Sequence, residues 1–410
     1  MSAPIFGMQF FRPDDEPVPV LGADFSKVLV IESSADASAT EYPIDTPVRI
    51  SSSDPQAMAA LGTGLLADMV KGINAQLSGL NSGADVTVVR VQEGETVLDT
   101  AAAIVEVLKG VESIPSAVNA TPRIIVAGRT AWRPDLETTN PVIAALETAC
   151  GKLLAISPVD VDDTSRDNAI DARETMSSER LMPIGVMARV YEGTNLVTRS
   201  MAARVAGLFV RVDNENLSKP FNPIANRSIL GLAGLSRRIP FSLLDGSTEG
   251  QQLLDGEVSI VVPGEVNVDG AVADGGFTFI GTDNATTGEL WKQIHQVRGC
   301  DYLTVKIMQI TRQFLGKKIT ADLVEAWINS IAFMLRDHKA ANDILGYTPQ
   351  SQMFKASQNS PENIRLGTLK IDIGIEPAPA FKRADHEIRR YRPAVEGLVN
   401  EIISRLNSAA

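Results

Sequence analysis

Short, unbroken apolar runs alternate with longer segments of helical period through the first half of the chain. The runs are 27–32 (KVLVIE), 46–51 (TPVRIS), 85–91 (DVTVVRV), 122–128 (PRIIVAG), 153–157 (LLAIS) and 181–189 (LMPIGVMAR). Apolar runs of this length, rich in β-branched residues, predict strands buried on both faces. Between them Leu65, Leu66, Met69, Ile73, Leu77 and Leu80 fall on one face of a helix. Residues 97–108 predict another helix. Asn140-Pro141 starts a third that runs to Cys150, with Asn as the cap and Pro in the first turn. Strand and helix alternating through short loops predict an open sheet with crossover helices.

The second half is more helical. A helix is expected from about Thr198 and a long helical region from Leu290 to Phe314. Another helix runs from Thr320 to about Asn342, with Leu323, Val324, Trp327, Ile331, Met334 and Leu335 as its apolar stripe. Then Leu369, Ile371, Ile373 and Ile375 alternate with Lys370, Asp372, Gly374 and Glu376. Period two predicts a strand with every aliphatic on one face. Ser360 and Pro361 open a short helical turn ahead of it, and Gly367 closes that turn. Pro377 and Pro379 cannot continue a ladder. The chain therefore leaves as a second, more charged alternating segment, Phe381 to Arg392. At the other end Pro4, Pro13, Pro17 and Pro19 are interspersed with Val18, Val20 and Leu21, a pattern that fits an extended arm and a disordered terminus equally. The expected division is an arm (1–24), an α/β domain (25–195), a second α/β domain (196–380) and a C-terminal extension (381–410). The fold class is mixed α/β (α+β).

Composition narrows the function. A net charge of −12 over 410 residues disfavours a nucleic-acid partner. No apolar run is long enough to span a membrane, and Met1 to Pro17 has no secretory-signal pattern. Cys150 and Cys300 are far apart and read as plain buried thiols in a reduced compartment. Three histidines, at no metal-ligand spacing, make a zinc site improbable.

One motif tempts toward chemistry. Asp160-Val161-Asp162-Asp163-Thr164 follows an apolar run, as does the nucleophile loop of Mg²⁺-dependent aspartyl-phosphate phosphatases. Pro158 interrupts the run, and no later strand supplies a matching acidic pair. A solvated acidic loop is the favoured reading. No phosphate-binding glycine loop and no nucleophile elbow occurs, and Trp132 and Trp327 read as packing residues. No catalytic, cofactor-binding or metal-binding residue is assigned.

The ordered set of later motifs resembles the contractile phage tail sheath family, including R-type pyocin sheaths. The motifs are Val205-Ala206-Gly207-Leu208-Phe209, then Asp213, a Pro-Phe-Asn-Pro-Ile-Ala-Asn loop, and Ile229-Leu230-Gly231. Leu253 to Pro263, which resembles a strand of the family, Asn359-Ser360-Pro361-Glu362-Asn363-Ile364 and the Ile-Gly-Ile-Glu-Pro-Ala-Pro stretch complete the set. Where the family has Trp-Gly-Asn-Arg-Thr, this chain has Ile280-Gly281-Thr282-Asp283-Asn284. The resemblance implies a structural subunit, not an enzyme, needing no cofactor. Such subunits polymerise as hexameric rings around an inner tube and contract to drive it through a cell envelope. It implies that residues 196–380 face the tube and that both arms exchange strands with neighbours. Val18, Val20, Leu21, Phe381, Arg383 and Ile388 are the candidate arm contacts. The implied partners are other copies, the tail tube protein, and baseplate and tail-terminator proteins. The implied location is the virion tail, after assembly in the bacterial cytoplasm. Lys317, Lys318, Arg336 and Lys339 are the candidate tube contacts. Arg336 and Lys339 suit a helix C-terminus with no partner, but Lys317 and Lys318 precede an N-terminus, where cations are unfavourable. The alternatives are the phosphatase built on Asp160 and Asp162, and a non-contractile scaffold polymer.

Overall fold

The computed structural model describes residues 24–79, 82–135 and 138–408. Val18, Val20 and Leu21 of the expected N-terminal arm, and Leu80, lie outside the described residues. The chain up to Ala378 forms one compact unit and Pro379–Ala410 a second.

The first unit opens with β1 (Val28–Ser33), β2 (Pro47–Ser51), α1 (Pro55–Ala60), α2 (Leu65–Ala75), β3 (Asp85–Val91) and α3 (Val97–Lys109). After α4 (Ile114–Val118) come β4 (Ile124–Ala127), α5 (Pro141–Leu153), β5 (Ser157–Asp160), α6 (Arg166–Glu174) and β6 (Leu181–Ile184). The strands order as β2-β3-β1-β4, with β2 antiparallel and β3, β1 and β4 parallel. An Ile124↔Ile156 bridge carries the pattern to the parallel pair β5-β6, and an Ile184↔Ser259 bridge carries it further. Every residue of β1 is buried, because α2 packs on one face of the sheet while α3 packs on the other with α5. That explains the unbroken apolar runs, since a strand covered on both faces needs no polar side.

The strand expected at 153–157 begins later. Leu154 takes a left-handed conformation (φ 49°) and ends α5, so β5 starts at Ser157. Pro158 lies within β5 instead of interrupting it. Ser157 N–H bonds Arg180 O, so the next residue's nitrogen points to the opposite edge and the β5-β6 ladder loses nothing.

The expected strand 181–189 divides into β6 and β7 (Ala188–Glu192), which forms a hairpin with β8 (Asn195–Arg199) across Gly193 at φ 61°. Next comes α7 (Met201–Glu215), buried almost all round. A Cβ on Gly207 would sit 2.6 Å from Ile73 O. Only glycine lets α7 approach α2 this closely. Beyond it are β9 (Arg227–Ser228), β10 (Gly234–Leu235), α8 (Glu249–Asp255), β11 (Ile260–Pro263) and β12 (Phe277–Ile280). The region expected as a strand at 253–263 is thus the end of a helix followed by β11.

A second, smaller core gathers around α9 (Ile294–Arg312), α10 (Ala321–Ala340), β13 (Ile344–Tyr347), α11 (Gln350–Met353), α12 (Pro361–Arg365) and β14 (Ile375–Pro377). Tyr302, Leu303, Ile328, Ile331, Leu335 and Met353 are buried in it. On α10 the buried stripe is centred on Ile328, Ile331 and Leu335, and Leu323, Val324 and Trp327 are only half-buried. The larger core runs continuously from Val28 to Ile294, across residue 195.

The second unit has no regular structure from Pro379 to Tyr391 and ends in α13 (Arg392–Ser408), a helix the sequence reading did not anticipate.

Candidate assembly surfaces

Helix α9 carries two polar anchors one turn apart. Arg298 is fully buried and makes a bidentate pair with Asp213 of α7, at 2.5 and 3.0 Å. It also donates to Phe25 O at 3.2 Å and lies against the Phe209 ring. Phe25 meets Tyr302 edge-on at 5.4 Å. Its backbone enters the compact unit here, directly after the expected N-terminal arm. His295 Nε2 lies 3.1 Å from Ala378 O, the last residue of the unit. A carbonyl only accepts, so His295 carries its proton on Nε2. Burial pushes its pKa down to about 4, and Nδ1 is buried with no hydrogen-bond partner to receive a second charge.

The alternating segment 369–375 is extended but is not a regular strand until Ile375. Asn359 takes the place of a neighbouring strand. Its amide accepts from Lys370 N–H and donates to Lys370 O, both within 2.9 Å. Asp372 N–H bonds Met353 O, and Gly374 N–H bonds the Thr348 hydroxyl. Ile371, Ile373 and Ile375 still pack on the smaller core, so period two sorted the faces even where side chains replace the ladder. Only 375–377 pairs, antiparallel with β13. A two-stranded sheet has an outer edge on each strand that can accept a further strand.

Phe381, Arg383 and Ile388 lie in the irregular part of the second unit. Phe381 and Ile388 are 88% and 94% exposed, and Arg383 pairs with Asp385. The four tube-contact candidates form no single cluster. Lys317 and Lys318 are exposed just before Thr320, which caps α10, and Lys317 Nζ lies 5.5 Å from the Phe314 ring. Arg336, paired with Asp337, and Lys339 stand at the far end of this 20-residue helix, about 30 Å away at 1.5 Å per residue.

The Asp-x-Asp motif does a different job from the one its spacing suggests. The Asp160 carboxylate accepts from Ser200 Oγ (2.5 Å), Met201 N–H (3.0 Å) and Ala202 N–H (2.8 Å). It thus satisfies donors at the N-terminus of α7 that have no partner in the helix. Burial pushes its pKa up to about 6, against those bonds and nearby Arg204. Asp162 is turned into its own loop, accepting from Thr164. Burial also pushes the thiols of Cys150 and Cys300 up to about 12, away from nucleophilic chemistry. Sequence reasoning missed the polar anchors His295, Arg298 and Asn359. For Arg298 and Asp213 the available signal was a charge inside an otherwise apolar helical pattern.

No family model matches the sequence, and no curated protein matches it. Solved structures do. A chain of the PVC extracellular contractile injection system sheath complex, in the contracted state, matches with a TM-score of 0.66 at 13% identity, covering 96% of this chain and 100% of that one. A chain of the anti-feeding prophage baseplate matches at 0.64 and 12%, covering 95% and 100%. A chain of the anti-feeding prophage helical sheath, in the contracted state, matches at 0.62 and 12%, covering 94% and 100%. The overlap runs through both cores, and the chain has the fold found in the sheaths of contractile injection systems.

Proposed function

We propose that this chain is the subunit of a contractile sheath. Copies polymerise as hexameric rings around an inner tube, and the polymer shortens and widens to drive the tube through a cell envelope. The observation that carries this reading is the fold likeness over 94–96% of the chain to components of two contractile injection systems. The role is structural: many subunits each gain interface area, and no cofactor is invoked. Asp160, the best catalytic candidate in the sequence, is committed to capping α7. The partners are other copies, the tube protein, and the baseplate and terminator proteins that bound the tail, and the place of action is the tail sheath. The N-terminal region faces outward, and the region after residue 196 faces the tube. The terminal arms join neighbours by adding strands at the edges of the β13-β14 sheet, where main-chain hydrogen bonds survive rigid-body rotation of the units they tether.

Negative-stain microscopy of the purified full-length chain tests the reading. Long hollow tubes are expected. Monodisperse globular particles across salt and concentration would overturn it.

A further inference from the structure

The parallel strands of the larger sheet follow the order β3-β1-β4-β5-β6. From β1 the chain reaches β3 through α2 on one face, then returns to β4 through α3 on the other. The connections leaving β1 and β4 therefore run in opposite directions. In open parallel sheets a crevice forms at such a point, beyond the C-terminal ends of the strands. Here it is a cavity of about 260 Å³. Glu32 of β1, Gly128 just after β4 and Asp160 of β5 line it, with Met69 of α2, Val97 of α3 and Trp132.

Most of the charge on this lining is matched. Asp160 caps α7, and Asp68 holds Arg204 at 2.9 and 3.1 Å. Arg199 pairs with Glu192 and Arg129 with Glu32. What is left over is half of Glu32. This side chain is 1% exposed. Its Oε1 accepts from Ser33 N–H (2.8 Å), Ser33 Oγ (3.0 Å) and Arg129 Nε (3.3 Å). Among the described residues nothing donates to its Oε2. A Cβ on Gly128 would lie 1.5 Å from that oxygen, so glycine at 128 leaves the space that Oε2 occupies. A buried acceptor without a donor is destabilising, and burial pushes the Glu32 pKa up against the pull of Arg129. Arg129 itself holds φ at 63°, and left-handed backbone at a non-glycine residue collects at ligand sites.

We propose that this cavity binds a small organic ammonium, whose N–H donates to Glu32 Oε2 and whose apolar body packs on Met69 and Trp132. The unmet group is an acceptor, so the ligand brings the donor. A charged donor makes the stronger bond to a carboxylate, and an indole offers a cation its face. An anionic ligand would instead be set against Glu32. The volume lies just below the range of drug-sized sites and suits a molecule of one ring. The inference goes beyond the sheath reading and does not depend on it.

The test is calorimetric titration of the full-length chain with phenethylamine, which is protonated at neutral pH. Two molecules of the same shape serve as controls, neutral 2-phenylethanol and anionic 3-phenylpropionate. Saturable binding of phenethylamine at one site per chain is expected, with 2-phenylethanol at least tenfold weaker and 3-phenylpropionate not bound. Glu32→Gln is expected to weaken phenethylamine at least tenfold. Val97→Trp is expected to abolish binding, because Val97 is 39% exposed and a larger side chain there fills the cavity from its open side. That variant leaves Glu32 in place, so it decides the matter if Glu32→Gln does not fold. No saturable binding to the wild type, equal affinity for all three molecules, or undiminished binding by either variant would overturn the proposal.

Discussion

His295 and Arg298 stand one turn apart on α9, and between them they hold the first and last backbone segments of the compact unit. Arg298 binds Phe25 O and His295 binds Ala378 O. Each contact lies where the described chain enters or leaves the compact unit, so a shift of α9 moves both roots together.

Arg298→Met tests how strongly the N-terminal root is held. It leaves the Asp213 carboxylate buried without its partner and frees Phe25 O. The expected loss is about 3–5 kcal/mol by urea denaturation. Adding Asp213→Leu removes the stranded charge and is expected to restore most of that loss. No recovery in the double variant would show that the Phe25 contact, not the ion pair, carries the energy.

The pH dependence contains two opposed contributions. The pKa of Asp160 is raised to about 6 when folded. The folded chain therefore binds the extra proton, and this stabilisation is full below about pH 4 and is lost as pH rises through 6, a change of roughly 3 kcal/mol. The pKa of His295 is lowered to about 4. Its contribution is full above about pH 6.5 and is lost as pH falls through 4, again by roughly 3 kcal/mol. The two nearly cancel in the wild type. Asp160→Asn should expose the His295 slope, with stability rising from pH 4 to 6.5. His295→Gln should expose the reverse. Parallel denaturation profiles for all three chains would contradict both assignments. The Asp160→Asn chain should also assemble normally and show no difference in Mg²⁺-dependent phosphomonoester hydrolysis.

Much of this fold was legible because its central strands are covered on both faces. Runs such as 85–91 leave no other reading, and the strand there matches to the residue. Boundaries failed where one residue's conformation decided them, as at Leu154. The stretch 369–375 misled because alternation reports facing, not pairing, and Asn359 supplies the bonds a strand would have made. Helix α13 is hidden in the sequence by Pro393 and the arginines before it, which break the apolar pattern just ahead of Val395, Leu398, Ile402 and Leu406. The apolar groove along the first half of α10 could not have been read, since Val324, Phe354, Ile364 and Leu369 meet only through tertiary packing.

Removal of residues 379–410 tests the arm directly. The compact unit ends at Ala378 and keeps its own core, so the shortened chain is expected to fold with a near-normal melting temperature. It should fail to form tubes, because the linking segment is gone. Tubes of normal length from the shortened chain would show that the arm does not connect subunits.

The final prediction concerns the tube. Lys317 and Lys318 are exposed immediately before the capped N-terminus of α10, where the helix dipole disfavours positive charge. Among the described residues neither joins an ion pair, in a chain whose net charge is −12. Two cations kept at an unfavourable place suit an acidic surface brought from outside, and the tube is the surface a sheath encloses. Lys317→Glu with Lys318→Glu should weaken assembly on tubes, and the difference from wild type should shrink between 50 mM and 500 mM salt. Exposed charge pairs are screened over about 14 Å at the lower salt and about 4 Å at the higher. Assembly of the chain alone, with no tube present, should be unchanged. These lysines also border an apolar groove that begins at Ile319 on the same unit. Equal loss of both kinds of assembly would therefore assign them to contacts between sheath subunits, and the tube contact would have to be sought at Arg336 and Lys339, at the other end of α10.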